Sequence, residues 1–169
     1  MNAPLPPSNI ASRKPRPITV AAGEFMHRFH AVDRGPVHFD KGRGGQLNAP
    51  DGANGVLYAA KTLAGAFVET FLRQPGRRQI AADLLAAKAY AELQAERALF
   101  FVRLAGAGLA TLGERAEVTH RGLPSTKPRA WWRALHAHPA WADGIGYTAR
   151  HHDSALCHAI FDRAADAIK

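Results

Sequence analysis

A single cysteine, Cys157, stands among 169 residues. An internal disulfide is therefore excluded, and a cysteine-based zinc site has no ligand set. Apolar runs long enough to cross a bilayer are missing, and the N-terminus lacks the apolar core of a signal peptide. The expectation is a cytoplasmic chain without a membrane partner, in a reducing compartment. Acids are scarce relative to bases, 14 against 22, so the formal net charge is +8. That balance suits an anionic partner: a nucleic acid, an acidic protein or a phosphorylated small molecule. No helix-turn-helix signature and no basic stripe interleaved with aromatics is present, so direct nucleic-acid binding is not expected. Several catalytic signatures are absent as well. There is no G-x-S-x-G elbow for a serine hydrolase, and Ser125 and Ser154 lie in polar segments. Neither a Rossmann fingerprint nor a P-loop occurs. The densest histidine groups, His136-x-His138 and His151-His152 with His158, lack the i, i+4 spacing of a zincin, so no metal is expected.

What is present fits one globular domain. Hydrophobic residues make up 47% of the chain, enough for a core at this length. Residues 1–20 read as a flexible, basic, proline-rich arm carrying Arg13, Lys14 and Arg16, and residues 21–169 as the domain. Order is expected to begin near Phe25. Phe25–His30 has strand character, and alternation sets Arg28 opposite Phe25 and Phe29. Residues 34–55 are loop-like, with glycines and an Asp51-Gly52 turn. Gly55–Ala60 reads as a buried strand. Thr62 is placed to cap a helix that runs to about Arg73 and stops at Pro75-Gly76. The Ala-, Leu-, Lys- and Glu-rich stretch 80–97 predicts a second helix. Ala98–Leu104 returns to strand, a short helix fits 107–112, and a longer one fits Pro128–His138. Gly144–Ala149 and Leu156–Phe161 are further strand segments, the second also compatible with helix. Mixed elements without strict βαβ alternation make the class α+β. Trp131, Trp132 and Trp141 are expected in or near the core.

Few segments carry chemistry by pattern alone. In Gly42-Arg43-Gly44-Gly45-Gln46-Leu47-Asn48, backbone amides can approach a ligand closely and Arg43 adds a cation. This suits a phosphate or pyrophosphate, although a glycine-rich surface turn, taken alone, explains the pattern better. Glu69 sits mid-helix. A helical wheel centres the apolar face near Phe67 and Phe71 and sets Glu69 almost opposite, so periodicity reads it as a solvated surface acid.

Taken in order, four blocks resemble the RES domain, the toxin half of a family of bacterial toxin–antitoxin pairs. They are His27-Arg28-Phe29; Gly44-Gly45-Gln46-Leu47-Asn48-Ala49-Pro50; Gly55 through Tyr58 to Glu69-Thr70; and Asp143-Gly144-Ile145-Gly146-Tyr147-Thr148-Ala149-Arg150-His151 with Ala159 through Arg163. The stretch Val102–Gly113 also fits. The resemblance implies a single-domain mixed sheet with flanking helices, similar to ADP-ribosyltransferase toxins, around a cleft for NAD. It implies cleavage of the nicotinamide–ribose bond by phosphorolysis or hydrolysis, or transfer of ADP-ribose to a protein. NAD is then the substrate, inorganic phosphate a co-substrate, and no separate cofactor is required. The implied catalytic residues are Arg28, Tyr58 and Glu69. The implied NAD-binding residues are Arg28, Arg43, Gln46, Tyr58, Ala149 and Arg150. The implied partner is a helix-turn-helix antitoxin that covers the cleft, with homodimerisation inside the complex. Two positions depart from the pattern. Gln46 stands where the family turn has arginine, and Ala149 where the closing motif has serine. These leave a third alternative, a catalytically weakened binding protein.

Overall fold

The computed structural model describes residues 5–42, 52–73, 76, 79–105, 107–112, 126–140, 142–149 and 152–169. Among the described residues, seven strands form one mixed sheet: β1 (Pro17–Val20), β2 (Phe25–Ala31), β3 (Val56–Ala60), β4 (Lys88–Gln94), β5 (Leu99–Arg103), β6 (Gly144–Ala149) and β7 (His152–Phe161). They lie in the order β1-β5-β6-β7-β3-β2-β4. Only β5 and β6 run parallel; the other neighbours are antiparallel. The helices are α1 (Leu63–Phe71), α2 (Ala82–Ala86), α3 (Ala107–Thr111) and α4 (Thr126–His136), with 3₁₀ turns at Ile10–Ser12 and Asp162–Ala167. This is the expected α+β class.

Strand alternation divides the core between the two sheet faces. Val56 and Ala60 of β3, Ile145, Tyr147 and Ala149 of β6, and Cys157, Ala159 and Phe161 of β7 meet Trp131, Trp132 and Leu135 of α4 on one face. Leu57 and Ala59, Phe101, Ile160 and Met26 meet Ala164 and Ala167 on the other. Trp131 and Trp132 are core residues as expected; Trp141 lies outside the described residues.

Two expectations are overturned. The stretch 80–97 is not one helix. It forms only the five-residue α2 and then β4, which pairs with β2 from Phe25↔Gln94 to Ala31↔Lys88. Helix propensity is worth a few tenths of a kcal/mol per residue, and a complete strand ladder with a buried Leu93 outweighs it. Order also begins before Phe25. Pro17–Val20 forms the edge strand against Val102–Leu99. Ile10 is buried, and His138 Nε2 lies 3.0 Å from the Ile10 carbonyl and 3.1 Å from that of Arg13.

Under the second core, His158 is 1% exposed and neither ring nitrogen has a hydrogen-bond partner among the described residues. Its ring lies 4.5 Å from that of Phe101. Burial, helped by Lys61, pulls its pKa down to about 4. The unfolded chain takes up this proton near pH 6.5 and the native state does not, so stability falls as pH drops from about 6.5 to about 4. The loss from this one group is on the order of 3 kcal/mol. Chemical denaturation at pH 7 and pH 4.5 should show a smaller stability difference for His158→Phe than for wild type; an equal difference would exclude this role.

Candidate active site

The cleft opens where the sheet splits. β2 and β3 share one paired position, His27↔Ala60, although both are fully paired on their other sides. Val56 at the start of β3 takes Asp40 as its partner instead. The gap forms a cleft of about 330 Å³, bordered by His27–Ala31, His38, Asp40, Tyr58 and the α1 residues Ala66, Glu69 and Thr70. That is at the lower end of small-molecule sites. Arg28, Arg34, Arg73 and Lys88 give it cations, against the carboxylates of Asp40 and Glu69.

Arg28 spans the split. Its Nη1 donates to the Tyr58 carbonyl on β3 and its Nη2 to the His38 carbonyl, each at 3.2 Å. One planar fork thus serves two carbonyls, one of them on β3. The Nε is buried and has no hydrogen-bond partner among the described residues. Burial draws the guanidinium pKa down to about 10, with Asp40 acting in the opposite sense. The group is cationic at neutral pH.

Glu69 is not the solvated acid that periodicity implies. Thr62 caps α1 as expected, its hydroxyl accepting from the Gly65 amide at 3.1 Å. The residues of α1 nearest the sheet are small. A Cβ on Gly65 would come within 3.3 Å of the side chains of Ala60 and Ala155, and Ala66 is buried. Glu69 follows them by four and three residues and shares their side of the helix. The helical wheel is misled because glycine and alanine carry little hydrophobic weight. The aromatics that dominate it pack on β2, Phe67 and Phe71 lying 6.1 and 5.2 Å from Phe29.

Half-buried Glu69 accepts a 3.3 Å hydrogen bond from the Tyr147 hydroxyl. Burial, and then the Glu69 charge, hold the Tyr147 pKa well above the usual phenol value, so the hydroxyl stays a donor. Cys157 is the cross-strand partner of Tyr147. Burial and Glu69 push its thiol up to about 12, which excludes a thiolate nucleophile at neutral pH. Tyr147 is the residue that motif reasoning overlooked: it was visible in the closing block, but nothing in the pattern linked it to Glu69. Tyr147→Phe should leave the fold intact and lower any Glu69-dependent turnover about tenfold, the value of one hydrogen bond to a charged group. Unchanged kcat in a folded Tyr147→Phe protein would show that Glu69 is positioned without it.

Of the residues expected in the site, Arg28, Tyr58 and Glu69 come together around the cleft. Ala149 does not line it. It is 0% exposed in the core, on the same β6 face as Tyr147, beside a register shift in the β6–β7 ladder. Arg43, Gln46 and Arg150 lie outside the described residues. A second groove of about 510 Å³ runs between Ala11–Pro17, β5 and the segment after α4. Among the described residues its lining holds no carboxylate. Among the described residues, no group of three His, Cys, Asp or Glu side chains is placed to hold a metal, and no helix is long and apolar enough to cross a membrane.

The family model described as the RES domain matches residues 17–169. Among solved structures, a chain of the crystal structure of the M. tuberculosis MbcT–MbcA toxin–antitoxin complex is similar. Its TM-score is 0.63 at 16% identity, over 85% of this chain and 76% of that one. No curated protein sequence matches.

Proposed function

Because the chain belongs to the RES-domain family and turns Glu69 into a cleft rich in cations, we propose that it is the toxin of a toxin–antitoxin pair and cleaves NAD at the nicotinamide–ribose bond. The observation that carries this reading is the placement of Glu69. Sequence periodicity puts it in solvent, and the fold instead holds it against Tyr147 beside Arg28 and Tyr58. The structural neighbour's assembly with an antitoxin supports the partner, and the +8 charge suits an acidic antitoxin segment.

Leaving nicotinamide develops positive charge on the ribose, as in glycoside cleavage. The Glu69 carboxylate stabilises that charge or orients the ribose hydroxyls, and Tyr147 keeps it in one rotamer. The Arg28 guanidinium, with Arg34, Arg73 and Lys88 nearby, holds the pyrophosphate so that the ribose stays fixed while nicotinamide departs. The Arg34–Asp40 ion pair spans 3.8 Å between exposed side chains and yields readily to a phosphate. Tyr58 packs against the nicotinamide ring or bonds a ribose hydroxyl. The chemistry needs no metal.

Expression in a bacterium provides the test. Induction should drain cellular NAD and stop growth, co-expression of a cognate antitoxin should restore both, and Glu69→Gln should be harmless. Growth arrest with NAD undiminished would reject the reading.

A further inference from the structure

From His27 at the border of the cleft, a hydrogen-bonded chain of three side chains runs outward, and the cleavage chemistry above leaves it unused. His27 on β2 and Glu92 on β4 are cross-strand partners, and Tyr90 lies two residues from Glu92. All three side chains therefore leave the same face of the sheet. His27 Nδ1 lies 2.7 Å from the Tyr90 hydroxyl, and that hydroxyl donates to Glu92 Oε1 at 3.0 Å. A phenol has one proton to give. Since it goes to Glu92, the hydroxyl can only accept from His27, so Nδ1 carries a hydrogen. In the neutral ring, Nε2 then carries the lone pair. The Tyr90 ring is braced 5.5 Å from Phe29, itself packed on Phe67 and Phe71. His27 borders the same cleft as Arg28, Tyr58 and Glu69. A histidine oriented by a second group that is itself anchored to a carboxylate is the arrangement of a general base.

We infer that His27 is the general base of this cleft, positioned by Tyr90 and Glu92, and that the acceptor is a hydroxylic molecule such as water rather than inorganic phosphate. The inference rests on the NAD-cleaving reading. As the C1′–N bond breaks, nicotinamide leaves with the bonding pair as a neutral pyridine. The acceptor oxygen forms the C1′–O bond and gives its proton to His27 Nε2. The imidazolium, held through Tyr90 to the Glu92 carboxylate, then returns that proton to solvent. A phosphate dianion attacks without losing a proton and has no use for such a base.

The test follows NAD in phosphate-free buffer with the full chain. Wild type should release nicotinamide and ADP-ribose without phosphate. His27→Ala should lower kcat about a hundredfold, the lower end of general-base contributions, and added imidazole should restore part of the loss. Tyr90→Phe, at an exposed position, should lower kcat about tenfold with KM unchanged. The inference is overturned if cleavage requires phosphate, if folded His27→Ala keeps the wild-type rate, or if imidazole restores nothing; in each case NAD cleavage itself stands. A wild-type protein that leaves NAD intact with and without phosphate overturns the NAD-cleaving reading and this inference together.

Discussion

Replacing Glu69 by glutamine is expected to lower NAD turnover by about 10²- to 10³-fold while leaving the fold intact. Glutamine preserves the shape of the side chain and retains a carbonyl oxygen that can accept from Tyr147. It removes the negative charge, the one property that stabilises a cationic ribose. Preorganised electrostatic groups aimed at developing charge are worth about 10²- to 10³-fold each. KM should change little, because the charge matters in the transition state more than in the bound substrate. The measurement is kcat and KM with a denaturation curve for both proteins. A folded Glu69→Gln enzyme at the wild-type rate would reduce Glu69 to a partner of Tyr147 and no more.

Arg28→Lys should be costly in a different way. Lysine keeps the charge but loses the fork, and one ammonium cannot serve the Tyr58 and His38 carbonyls in the geometry observed. The loss of one hydrogen bond from a charged donor costs about 1.5–3 kcal/mol. Stability should fall by about that amount. The split between β2 and β3 should loosen with it, so kcat/KM should drop tenfold or more even though a cation remains. Arg28→Ala should lower both further. Unchanged denaturation midpoint and kcat/KM for Arg28→Lys would mean that Arg28 supplies charge alone.

The sequence was most legible where hydrophobic pattern and turn chemistry agreed. Gly55–Ala60, the Thr62 cap and Gly144–Ala149 were read to within a residue or two, because each couples a local signal to a buried face. The stretch after Gln79 was not. Its alanines, lysine and glutamates favour helix locally, and nothing local reveals that β2 needs a partner along its whole length. Pro17–Val20 was hidden for a similar reason: a short edge strand beginning with proline carries almost no signal apart from the strand it joins. In the site, residue types were legible and placement was not. Family resemblance singles out Arg28 and Glu69, whereas the periodicity of α1 points Glu69 into solvent. Its direction is set by Gly65 and Ala66, whose small size brings the helix against the sheet. The same resemblance implies NAD binding at Ala149, yet that residue lies closed in the core. The links from Tyr147 to Glu69 and from His27 through Tyr90 to Glu92 join distant parts of the chain, and only the sheet order makes them neighbours.

The central claim is that this cleft breaks the bond between nicotinamide and ribose. Purified protein incubated with NAD, with its products separated and identified by mass, tests it most directly. Free nicotinamide should appear in step with NAD loss, together with one ADP-ribose product, and both should slow about 10²- to 10³-fold in Glu69→Gln. Intact NAD after prolonged incubation with folded wild-type protein, with phosphate present and absent, would contradict it.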